Sequence, residues 1–146
     1  EKIASLFTIK PKFIGRGWAM EEQEQRSLAL TEIDFSKVRF VSSLKTGENY
    51  ITGEEKLGRL KKDGAIRLDA KVGQALYEEK GQPTLRFIHE HFNISWFELA
   101  GTVLRSPHGD RYFLYLYRND DGSWGWDYYW LDSDRGAGDV SPVVAS

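Results

Sequence analysis

The stretch RYFLYLYRNDDGSWGWDYYWL, residues 111–131, alternates side-chain types with a period of two on either side of Asn119-Asp120-Asp121-Gly122. That is the pattern of two antiparallel strands joined by a tight turn. A third segment, Phe97 to Arg105, precedes it across Ser106-Pro107-His108-Gly109-Asp110, so the period predicts a three-stranded antiparallel meander. Pairing Arg118 with Ser123 across a four-residue turn puts Phe113, Tyr115, Tyr117, Trp124, Trp126, Tyr128 and Trp130 on one face. A two-residue Asp121-Gly122 turn shifts the register by two and leaves that face intact, whereas a turn of odd length would divide it. On the even pairing Arg111 stands opposite Trp130, where it could add a cation-π contact at the edge.

Residues 111–131 hold nine of the chain's 20 aromatics, so something must cover them or use them. One reading makes the aromatic face core, packed against helices, as an apolar stripe usually is. The opposite face, with Tyr112, Leu114, Leu116, Tyr129 and Leu131, is also largely apolar, although a solvated sheet face should read as polar. Both faces therefore need cover, either from N-terminal strands or from a ligand or partner. The second reading makes Tyr115, Tyr117, Trp124, Trp126 and Tyr128 a binding surface.

Working outward, Thr52-Gly53-Glu54-Glu55 has the spacing of a capping box and Gly64 follows Lys61 and Lys62, which predicts a helix from Gly53 to Lys62. Ala65 to Leu68 reads as extended, Asp69 caps a second helix running to about Lys80, and Pro83 opens a third running to Phe92. The first 50 residues carry weaker signals: a strand at Ile3 to Ile9, a break at Pro11, a turn at Gly15 to Trp18, a solvated loop or short exposed helix at Glu21 to Arg26, and a strand from Val38 to Leu44. The expected fold class is α+β, with a C-terminal three-stranded meander packed on two or three short helices and the N-terminal part adding strands.

The 146 residues are 40% hydrophobic and 29% charged, and no cysteine is present. This is the arithmetic of one globular domain spanning residues 1–146, long enough to bury about 68–70% of its unfolded surface. Thiol catalysis, thiolate metal sites and disulfide frameworks are excluded. No apolar run reaches the roughly 20 residues that cross a bilayer, and Glu1 to Lys12 lacks the features of a signal peptide, so a cytoplasmic chain with no membrane partner is expected. Asp120, Asp121, Asp127, Asp132, Asp134 and Asp139 crowd the C-terminal part, which disfavours a phosphate backbone there. Lys56, Arg59, Lys61, Lys62, Arg67 and Lys71 form the basic cluster, but interleaved acids favour a salt-bridged face over a nucleic-acid surface.

Of the three histidines, His89 and His91 lie about 200° apart on a helix and cannot share an ion. His91, among Phe87, Ile88 and Phe92, reads as a hydrogen-bonded core residue. Asp132, Asp134 and Asp139 flank Gly136 and Gly138, but the loop lacks the alternation and terminal glutamate of an EF-hand, so calcium is the lesser reading beside a solvated loop. No nucleophile elbow or phosphate loop is present, no cofactor is implied, and no catalytic or metal residue is assigned. Asn93-Ile94-Ser95 fits a glycosylation acceptor, which matters only in a eukaryotic secretory setting.

Gly101-Thr102-Val103-Leu104-Arg105-Ser106-Pro107, the Tyr112 to Tyr117 run and Trp130-Leu131-Asp132, with Gly53 to Lys61 and Ile66 to Ala70, resemble a group of hypothetical bacterial proteins from candidate phyla. The resemblance covers roughly the last 100 residues. It implies a bacterial source and no mechanism, and it carries over no functional residue. The expected function is a non-catalytic binding or interaction module that docks one protein partner through the aromatic sheet face. The alternative is a small hydrolase acting on carbohydrate or another polar substrate in an aromatic-lined cleft, with Glu98 or Asp127 as acid or base.

Overall fold

A computed structural model describes residues 2–6 and 15–146. In chain order the elements are β1 (Ile3–Ser5), β2 (Ala19–Gln23), α1 (Gln25–Leu28), β3 (Glu32–Asp34), a 3-10 turn at Phe35–Lys37, β4 (Arg39–Val41), β5 (Ile51–Thr52), α2 (Gly53–Asp63), β6 (Ile66–Arg67), α3 (Ala70–Glu78), α4 (Pro83–Phe92), β7 (Trp96–Arg105), β8 (Arg111–Arg118), β9 (Trp124–Trp130), β10 (Asp134–Arg135) and β11 (Ser141–Val144). The fold is α+β, and β7, β8 and β9 form the expected meander. Of the expected Ile3–Ile9 strand only Ile3–Ser5 is seen, and its end and the Pro11 break lie outside the described residues.

The helix starts follow their local chemistry. Thr52 accepts a hydrogen bond from the Glu55 amide at 3.1 Å, although the Glu55 carboxylate turns to Arg59 instead of completing the box. Gly64 closes α2 at φ 82°, a conformation that favours glycine. Asp69 is fully buried at the start of α3, accepting from the Val72 amide, the Ser27 hydroxyl and the Gln23 side chain, so one carboxylate joins α1, β2 and α3.

The meander gains a fourth strand, giving the order β2-β7-β8-β9. This corrects the loop or short exposed helix expected at Glu21 to Arg26 over residues 21–23 alone, since Gln25 and Arg26 do open the short helix α1, where both are exposed. The acidic side chains of β2 disguised an edge strand, because Glu21 pairs with Arg105 and Arg111, and Glu22 with Lys61 and Arg111. A second sheet, β4-β11-β6, lies against β7, with the Glu98 amide donating to Val140 at 3.0 Å and the Gly101 amide to Leu68 at 2.9 Å.

The β8–β9 register differs from the sequence expectation. Arg118 pairs with Trp124 across a five-residue turn, in which the Asp121 carboxylate accepts from the Ser123 amide at 2.9 Å and hydroxyl at 2.6 Å. Ser123 thereby belongs to the turn, and the odd loop divides the expected aromatic face. Trp124, Trp126, Tyr128 and Trp130 share a face with Tyr112, Leu114 and Leu116, while Phe113, Tyr115 and Tyr117 face the other way with Asp127 and Tyr129. Trp130 stands opposite Tyr112, and Arg111 binds Glu21, Glu22 and Glu54 in place of the expected ring.

Helices α3 and α4 cover the first face, burying Leu76, Leu85 and Ile88 with Phe97, Leu99, Leu114, Leu116 and Trp124. On the second face, Leu57 and Leu60 of α2 and Val143 of β11 close over Ala100, Val103, Phe113 and Leu131. Backbones approach closely where β7 passes the start of α3: a Cβ on Gly101 would lie 2.4 Å from the Arg67 carbonyl oxygen and 2.8 Å from the Leu68 carbonyl carbon. Because both neighbours are backbone, Gly101→Ala should cost about 1–3 kcal/mol through forced displacement. A thermal midpoint equal to that of the unaltered protein would show that the contact relaxes freely.

Candidate functional site

The face that carries Glu98 has an inner half beneath α2 and an outer half of aromatic rings. In the inner half Glu98 receives Lys56 Nζ at 2.7 Å and Arg135 Nη2 at 3.1 Å, and all three side chains are 0% exposed. Lys56 also donates to the Asp139 carbonyl, and Arg135 donates to the carbonyls of Tyr129, Trp130 and Ser133. Burial pulls the Lys56 ammonium below its ordinary pKa, against the opposing pull of Glu98.

Strand register builds the outer half. Trp96 stands opposite Tyr117, Glu98 opposite Tyr115, and on the far side of β8, Gly125 opposite Tyr117 and Asp127 opposite Tyr115. Trp96 stacks on Tyr115 with centroids 5.0 Å apart, and Tyr129 meets Trp96 edge-on at 5.8 Å and Tyr115 at 6.0 Å. Tyr117 lies 5.8 Å from Tyr115 and occupies the space that a side chain on Gly125 would fill: a Cβ there would be 2.6 Å from the ring. All four rings are half-buried, and Asp127 is exposed among them.

The two halves are joined. The Arg135 guanidinium lies 3.8 Å from the Tyr129 ring centroid, and the Tyr129 hydroxyl donates to the Asp134 carbonyl at 2.7 Å. The buried ion network thus fixes the orientation of a ring in the surface patch. Burial raises the Tyr115 hydroxyl pKa, the Asp127 carboxylate adding to the shift, so this hydroxyl stays a neutral hydrogen-bond donor.

Of the five sequence-designated binding residues, only Tyr115 and Tyr117 belong to this patch. Trp124 is 6% exposed and packs near Phe97 at 6.0 Å. Trp126 and Tyr128 are half-buried on the helix-facing side, where Tyr128 stacks on Trp18 at 4.3 Å. The sequence reading missed Trp96 and Tyr129. Tyr129 was lost through turn parity alone, and Trp96 through placing the strand start one residue late.

Glu98 is sealed beneath α2 and tied to two cations, so it cannot touch a substrate; Asp127 is exposed, and its carboxylate accepts from the Tyr128 amide at 2.7 Å. His91 is exposed and stacked on Phe87 at 4.8 Å, not a core histidine, because the last turn of α4 passes beyond Thr84, Leu85 and Ile88, its buried side. The basic cluster is largely engaged: Lys56 with Glu98, Arg59 with Glu48 and Glu55, Lys61 with Glu22, Arg67 with Glu24, and Lys71 with the Leu28 and Leu30 carbonyls. In the 132–139 loop the Asp139 carboxylate accepts from the Gly136 amide at 2.7 Å, and among the described residues no three acidic or histidine side chains gather as a metal site. No helix of the described residues is long and apolar enough to cross a membrane.

Comparison with known proteins finds no family model that matches the chain, no curated protein that it resembles and no solved structure that it matches.

Proposed function

We propose that this protein is a non-catalytic interaction module that docks a protein partner on the patch of Trp96, Tyr115, Tyr117 and Tyr129. The observation that supports this reading is the clustering of four half-buried aromatic rings around an exposed carboxylate on a rigid sheet, held from beneath by the Lys56–Glu98–Arg135 network. Trp and Tyr concentrate binding energy at interface centres because they offer large area with few rotatable bonds. Asp127 in the patch and the exposed Asp134, whose carbonyl accepts from the Tyr129 hydroxyl, favour a partner segment that is basic as well as apolar. The hydrolase reading fares worse: Glu98, one of the two carboxylates it would use, is sealed away and tied to two cations, so it cannot pair with Asp127 across a substrate.

The test compares the unaltered protein with Tyr117→Ser in affinity capture from bacterial lysate and on a glycan array. One protein retained by the first and lost by the second is expected. Saturable glycan binding with no retained protein would replace this reading with a carbohydrate-binding one.

A further inference from the structure

We propose that the cavity between α4 and the β8–β9 turn binds a phosphate-type dianion. It lies on the helix-facing side of the sheet and is independent of the aromatic patch. Its volume is about 230 Å³, and Gly81, Arg86, His89, Glu90, Arg118 and Trp124 line it.

The sequence brings these groups together from two elements. Arg86, His89 and Glu90 are spaced i, i+3 and i+4 on α4, which puts them on one side of the helix. Arg118 pairs with Trp124 at the end of the hairpin, so its side chain shares the helix-facing side with the indole. Arg86 is anchored by one bond from Nη2 to the Gly81 carbonyl at 2.7 Å, which leaves most of its guanidinium donors free. His89 Nδ1 sits 3.3 Å from the Ser95 hydroxyl, which leaves Nε2 available. The Arg118 guanidinium makes no ion pair or side-chain hydrogen bond among the described residues.

Two guanidinium groups facing one concavity repel each other unless an anion joins them, and the planar fork of arginine matches phosphate oxygens. The donors arrive from helix and strand, a spread that a tetrahedral oxyanion meets more fully than a planar carboxylate. Two acids are near. Asp121 is committed to Ser123, whose hydroxyl and amide hold its carboxyl below the usual range with a smaller contribution from Arg118. Glu90 is the one carboxylate lining the cavity, and it opposes the anion.

The test titrates inorganic phosphate into the isotope-labelled protein at fixed ionic strength, reading the arginine side-chain resonances and the amides of Gly81 and of Gly122, which also lines the cavity. Saturable shifts confined to these groups are expected. Arg118→Gln should weaken the affinity at least about tenfold, the loss of a charge-assisted hydrogen bond. Glu90→Gln should tighten it several-fold, and because Glu90 is exposed this variant keeps the fold and decides the case alone. Tighter binding of phenyl phosphate than of inorganic phosphate would identify an organic carrier, and equal binding the free ion. Non-saturable shifts, acetate binding as tightly as phosphate, an unaltered affinity in Arg118→Gln, or no tightening in Glu90→Gln would each overturn the proposal.

Discussion

Glu98→Gln is expected to lower the free energy of unfolding in urea by about 3–5 kcal/mol, the cost of breaking a buried ion pair from one side. Among the described residues Glu98 is the carboxylate that bonds both cations, and none of the three side chains reaches solvent. Its loss leaves Lys56 and Arg135 buried and adjacent, with no carboxylate bonded to either and only the weaker pull of Asp139 on Lys56. For a domain with about 5–15 kcal/mol of stability, such a loss threatens soluble expression. Lys56→Met should cost less, about 1–3 kcal/mol, because the methionine keeps much of the stem, the Arg135–Glu98 pair survives, and what is lost is one bond to Glu98 Oε2, which keeps a long bond from Arg135 Nε at 3.4 Å, and the bond to the Asp139 carbonyl. A larger loss for Lys56→Met than for Glu98→Gln would show that the network is not centred on the carboxylate.

The same pair of variants carries a pH signature. Burial depresses the Lys56 pKa in the folded state, so between that value and the ordinary 10.5 the unfolded chain binds more protons than the folded one. Stability should therefore rise as pH climbs through that window. Lys56→Met removes this contribution, and Glu98→Gln, by depressing the lysine further, extends it to lower pH. Unfolding midpoints measured across the alkaline range read both effects, and a Glu98→Gln protein whose rise begins no lower than in the unaltered protein would contradict the assignment.

The network was invisible in the sequence because its members come from distant places: Lys56 and Glu98 are 42 positions apart, and Lys56 and Asp139 are 83 apart. What was legible was local. Thr52, Asp69 and Gly64 mark helix ends through bonds that span three or four residues, Pro83 marks one through its fixed φ, and α4 begins and ends where its proline start and apolar arc predict. The meander was legible from its period, but its register rested on one residue: whether Ser123 opens β9 or closes the turn. The Asp121–Ser123 hydrogen bonds decide for the turn, and that single step moved Tyr129 into the patch and Trp124, Trp126 and Tyr128 out of it. Short strands such as β10 and β11 left no period to detect, since two to four residues are stabilised by their pairing partners and not by their own composition.

The division of the aromatics between two faces gives opposite expectations for two tryptophans. Trp124→Ala should cost about 3–5 kcal/mol, the range for emptying a well-packed aromatic site, because its indole is 6% exposed and belongs to the core with Phe97, Leu85 and Ile88. Trp96→Ala removes a half-buried ring whose main contacts are Tyr115 and Tyr129, so the loss should be near the worth of its ring pairs, about 0.5–1.5 kcal/mol each. If the patch is an interface centre, Trp96→Ala should cost at least about 2 kcal/mol in partner affinity while the protein stays folded. Urea midpoints for the two variants, read beside capture of the partner, separate the roles. Equal destabilisation by both substitutions would make the outer face a second core, and the interaction surface would then have to be sought elsewhere on the molecule.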